Sequence, residues 1–63
     1  MQVYSVIMND GDYDSLCGVF ATRADAVAFV NTQEGYQEDW YEYAIIVSAL
    51  GEEIDPLAAR EVI

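Results

Sequence analysis

The sequence predicts a small α+β domain of ββαβ type: a three-stranded antiparallel sheet of order 2-1-3, with one helix on one face and a short C-terminal tail segment. Three observations predict it. A run rich in β-branched and aromatic residues and a second apolar run flank a dense cluster of turn formers, a threonine-led alanine-rich segment follows them, and an apolar run then alternates from Trp40 to Leu50. With 63 residues the chain holds at most one core, so 1–63 is read as a single domain with its core over about 2–50 and a tail over 51–63.

The first strand is Val3-Tyr4-Ser5-Val6-Ile7-Met8, and Asn9-Asp10-Gly11-Asp12-Tyr13-Asp14 turns the chain. Leu16 to Ala21 is the second strand, with Gly18 a candidate bulge or point of close backbone approach. Thr22 followed three positions later by Asp25 reads as a variant capping box, and the acid suits the positive end of a helix. The spacing predicts a helix over about 23–33, ended by Gly35. In the third strand Tyr41, Tyr43, Ile45, Val47 and Ala49 share one face, and Trp40, Glu42, Ala44, Ile46 and Ser48 the other. A helical crossover makes the third strand parallel to the second, and placing the first between them gives the 2-1-3 order. One helix covers one face of that sheet, so the apolar residues on the second need the tail or a second copy of the chain. The tail reads as a break at 51–55, then a helical turn over 56–63 with Pro56 at its first position.

Composition excludes several function classes. Twelve acids face two arginines, Arg23 and Arg60, with no lysine or histidine, for a formal charge of −10. That charge repels nucleic acid and anionic membranes within about 8 to 10 Å at ordinary salt, and attracts a basic protein surface. With Cys17 the lone cysteine, no internal disulfide forms and no zinc ligand set can be assembled. The longest apolar run, 43–50, is too short to span a bilayer, so the chain reads as soluble and intracellular, in a reducing compartment. With 54% of its residues hydrophobic it is too apolar to be a disordered acidic tail.

Catalysis requires a nucleophile or acid beside a matched partner, and neither can be built from these residues. Cys17 has no histidine or lysine to activate it and reads as a buried small hydrophobe. Alternate acids at Asp10, Asp12 and Asp14 resemble a calcium loop, but Ser15 stands where such loops need glycine and Ala21 where they need glutamate; a solvated hairpin tip accounts for them. No metal or cofactor is expected. The remaining signal is a set of acids interleaved with aromatics: Glu34, Tyr36, Glu38, Asp39, Trp40 and Glu42, with Tyr41 and Tyr43 among them. Together with Asp10, Asp12 and Asp14 these read as a partner-binding surface, aromatics anchoring and acids attracting a basic protein, against the plainer reading of a solvated rim with its tyrosines in the core. Glu52, Glu53 and Asp55 form a second cluster.

Val3-Tyr4-Ser5-Val6, the acidic hairpin, Gly18-Val19-Phe20-Ala21-Thr22 and Ala24-Asp25-Ala26-Val27, followed by an aromatic and aliphatic strand, resemble small ββαβ proteins commonly encoded by bacteriophages and prophages. In size and charge the chain is also similar to acidic phage inhibitors that mimic DNA, including anti-CRISPR proteins of type I systems. That resemblance implies a non-enzymatic inhibitor in the bacterial cytoplasm, whose carboxylates stand in for phosphates on a basic nucleic-acid-binding surface, such as that of a CRISPR effector subunit. The chain itself would be a monomer or a homodimer. Two other readings stay open: a homo-oligomeric interaction or assembly module whose acidity serves solubility, and adaptation to high salt.

Overall fold

The computed structural model describes residues 1–52 and 60–63. Its elements run β1 (Gln2–Asn9), β2 (Asp14–Phe20), α1 (Arg23–Asn31), α2 (Glu34–Gln37), β3 (Glu42–Ala49) and β4 (Glu61–Val62). The fold is α+β with an antiparallel sheet, as expected, but among the described residues the sheet has four strands in the order β2-β1-β3-β4. The 2-1-3 order of the first three is the one the connections require.

β1 is central, pairing Tyr4 with Phe20 on one side and with Val47 on the other. Strand periodicity then sorts the side chains. Val6, Tyr43 and Ile45 meet Ala26 and Val30 of α1 in the buried core, with Tyr4, Met8, Phe20, Phe29, Tyr36 and Ile63 packed around them. The second face carries Ser5 and Ile7 from β1 and Ala44, Ile46 and Ser48 from β3, all of them buried. β2 contributes Leu16 and Val19 to that same face by its register with Ile7 and Ser5, and these two are 56% and 52% exposed. The second face is therefore closed over the central strands and open along β2.

Two hydroxyls on the closed part, Ser5 Oγ and Ser48 Oγ, are buried without a hydrogen-bond partner. A desolvated hydroxyl that makes no bond costs stability, so Ser5→Ala should raise stability by about 1 kcal/mol, seen as a higher urea midpoint with unchanged slope. A lower midpoint would mean that the hydroxyl carries an interaction.

Local chemistry explains where the elements differ from expectation. Thr22 caps α1 by accepting the Asp25 amide at 3.1 Å. The helix ends at Asn31 rather than near residue 33, because the Thr32 amide turns back to the Phe29 and Val30 carbonyls and its hydroxyl donates to Phe29 O at 2.7 Å. Gly35 accordingly does not end α1 but lies within the short α2. β2 begins at Asp14, two residues earlier than expected, and its extra residue is Cys17, because Val6 pairs with Gly18 while Ile7 pairs with Leu16. Gly18 is beside the bulge, and what approaches it is a side chain rather than a backbone: a Cβ there would lie 2.9 Å from the Phe20 ring. Bulging also turns Cys17 outward, so the thiol is exposed instead of buried in the core.

The largest correction is at the C-terminus. The expected helical turn over 56–63 falls partly on residues 53–59, outside the described residues; its end is strand, with Ala44 paired to Val62 and Ile45 to Glu61. Val62 and Ile63 are β-branched, and β3 offers an open edge whose Tyr43 carbonyl accepts the Ile63 amide at 2.9 Å.

Candidate partner-binding surface

Antiparallel pairing brings the two predicted acidic segments to one end of the sheet. Asn9, the last residue of β1, pairs with Asp14 on one side and with Glu42 on the other. The β1–β2 hairpin and the α2–β3 connection therefore emerge side by side. All nine residues assigned to the surface, Asp10, Asp12, Asp14, Glu34, Tyr36, Glu38, Asp39, Trp40 and Glu42, belong to these two segments or to the strand ends that hold them.

The hairpin is held by its own side chains. Asn9 Oδ1 accepts the Gly11 amide at 2.7 Å, and Asp10 Oδ1 accepts those of Asp12 and Tyr13 at 3.0 and 2.9 Å. Gly11 takes φ 105, a left-handed value that glycine adopts at no steric cost. The Tyr13 and Asp12 amides hold the Asp10 carboxyl below its usual range. Tyr13 stands 74% exposed among these acids, an aromatic that a reading of the segment as turn formers leaves out of the surface, although its place between Asp12 and Asp14 marks it.

The other half of the surface is a helix end. Asp39 adopts φ 59, the Asp39 amide donates to Tyr36 O at 3.1 Å, and the Trp40 amide donates to Gly35 O at 2.8 Å. This is the Schellman closure, with aspartate in the left-handed position usually given to glycine. Gly35 itself is required by close approach, since a Cβ there would lie 2.4 Å from Cδ2 of the Tyr41 ring. The Tyr41 ring in turn meets Trp40 edge to face at 6.4 Å. The result is a fixed knuckle that holds Trp40 out, 59% exposed, between Asp39 and Glu42. Tyr36 is placed differently: it is half-buried and packs edge to face on Tyr43 at 6.0 Å, so it supports the knuckle from within.

Both arginines make ion pairs that tie the C-terminal strand down. Arg23, at the start of α1, bonds both carboxylate oxygens of Glu61, from Nε to Oε1 at 2.9 Å and from Nη2 to Oε2. Arg60 reaches over the second face to Asp14, Nη1 to Oδ1 at 3.2 Å and Nη2 to Oδ2 at 3.1 Å, while Asn9 Nδ2 donates to the same Asp14 Oδ1 at 2.8 Å. The Arg60 guanidinium and then Asn9 hold the Asp14 carboxyl below its usual range, and Arg23 does the same for Glu61. Asp14 is therefore a structural acid as well as a surface one.

Carboxylates lowered in the folded state stabilise it above their unfolded pKa and lose that contribution as pH falls through the folded value. Asp10, Asp14 and Glu61 all work in this direction, so stability should drop as pH is lowered through and below the ordinary 3.8 to 4.5 of their side chains. Asp14→Asn should lower the urea midpoint at pH 7 and flatten the acid limb. Parallel acid limbs for the two proteins would remove Asp14 from the account.

Among the described residues no group of three or more acids or cysteines is placed to hold a metal ion, and no helix is long and apolar enough to cross a membrane. Glu53 and Asp55 of the second acidic cluster lie outside the described residues, and Glu52 sits beyond β3 at the opposite end of the sheet. No family model, curated protein or solved structure matches the chain.

Proposed function

We propose that this chain is a non-enzymatic acidic inhibitor that occupies a basic, nucleic-acid-binding protein surface by presenting carboxylates in place of phosphates. The observation that carries this reading is the convergence of the two acidic segments on one end of the sheet, through the pairing of Asn9 with both Asp14 and Glu42. An array of acids gains affinity for a phosphate-binding groove when its members are held together rather than tethered loosely, and the hairpin is locked by the Asp10 carboxylate and the knuckle by backbone bonds. The knuckle adds Trp40, the type of side chain that anchors interfaces, and an arginine of the partner can lie over its indole while its charge meets Asp39 or Glu42.

The resemblance to DNA-mimicking phage inhibitors directs this reading to a host-defence complex, with a type I CRISPR effector as the first partner to test. In a mobility-shift titration of that effector on its target DNA, the protein should abolish the shifted band at low salt. Raising salt from about 50 to about 200 mM should weaken that inhibition by about tenfold or more. Salt-independent inhibition would remove the phosphate mimicry, and no inhibition at saturating protein would remove this partner. The homo-oligomeric reading rests on an uncovered apolar sheet face; the central strands bury theirs, which leaves it Leu16 and Val19 along β2.

A further inference from the structure

We propose that the open edge of β2 takes an extended segment of the partner as an added strand, with the partner's arginine or lysine side chains at the end that meets the hairpin. This rests on the reading that the partner is basic, and adds a second line of contact running from the acidic end along the sheet.

Among the described residues β2 closes one side of the sheet with no strand beyond it, whereas the far side is met by β4 at Ala44 and Ile45. Its outward amides and carbonyls have no backbone partner among the described residues, so they can bond an incoming backbone. Exposed edges are ordinarily guarded by lysine or proline, and the segment Asp14-Ser15-Leu16-Cys17-Gly18-Val19-Phe20 contains neither. On the second face Leu16 and Val19 stand exposed beside that edge, giving apolar side chains of an added strand a surface to cover.

The occupant follows from charge and from the bulge. The chain carries −10, and both of its cationic side chains are engaged by Glu61 and Asp14, so a second copy meets like charge where a basic segment meets attraction. A two-fold pairing of β2 with itself about its middle would also set the irregular residue Cys17 against its copy, where neither strand offers a regular ladder. A segment from another protein is under no such symmetry and can end at the bulge. At the hairpin end it meets Asp10 and Asp12, whose carboxylates are not in ion pairs with either arginine.

The test uses the whole chain, labelled for amide detection, and the peptide Arg-Arg-Val-Thr-Val-Arg-Arg, with Arg-Arg-Val-Pro-Val-Arg-Arg as a control of equal charge that cannot complete a ladder. The first peptide should slow exchange of the outward amides within β2 by about tenfold or more at saturation, and the proline peptide should not. Equal effects of the two peptides confined to the hairpin and the knuckle would overturn the edge proposal and leave the acidic end as the whole surface. Failure of both peptides to bind at low salt would overturn the basic-partner reading itself. Slow exchange along β2 without peptide, together with a doubled mass in light scattering, would assign the edge to a second copy and overturn the proposal.

Discussion

Ile45→Ala should leave most of the chain unfolded at 25 °C. Ile45 is the largest of the fully buried side chains and sits where β1, β3, β4 and α1 meet, paired with Val6 on one side and Glu61 on the other. Truncating such a residue removes its transfer energy and leaves a cavity, at a cost of about 2 to 5 kcal/mol. A single core of this size rarely supplies more than about 3 to 5 kcal/mol in total, so the loss is comparable with the whole stability. Ile45→Val, at about 1 kcal/mol, should remain folded and serves as the control. Circular dichroism through a urea titration reads both. An alanine variant with a normal midpoint would show that stability resides elsewhere than in this packing.

Trp40→Ala should leave stability unchanged and weaken partner binding by about 30-fold, the equivalent of about 2 kcal/mol for an anchoring tryptophan. The indole is exposed, and its closest ring neighbour is Tyr41, so little of the core depends on it. Calorimetric titration against the effector that responds in the mobility assay measures the loss. Tyr36→Phe is the contrasting substitution: its ring packs inward on Tyr43, so affinity should stay the same. Unaltered binding by Trp40→Ala would reduce the surface to its carboxylates.

β1, β2, α1 and β3 are legible because each carries a local signal: β-branched and aromatic content in β1, the turn formers that precede β2, Thr22 with Asp25 at the helix start and alternation in β3. β4 is not, because two residues carry no period, and what makes Glu61 and Val62 a strand is the open side of β3, which no local pattern records. The alternation places the start of the third strand two residues too early because it runs on through Trp40 and Tyr41. What stops the strand is the left-handed turn at Asp39 and the two amides that reach back to Gly35. The acids of the surface were legible by type. Their convergence follows once β1 is antiparallel to both neighbours, while the Arg60 to Asp14 bond spans 46 positions and is set by tertiary placement alone.

The crowding of carboxylates onto one end also makes the described part of the molecule an electric dipole. Seven of its acids lie on the hairpin, on α2 and its loop, or at the strand ends they join, and of these Asp14 is matched by Arg60; of the other described acids, Glu61 is matched by Arg23, leaving Asp25 on α1 and Glu52 past β3. In the field of a positively charged groove such a body feels a torque as well as an attraction, and turns its hairpin and knuckle forward before the surfaces touch. Moving two of those acids to the opposite end, at constant net charge, should therefore slow association more than it speeds dissociation.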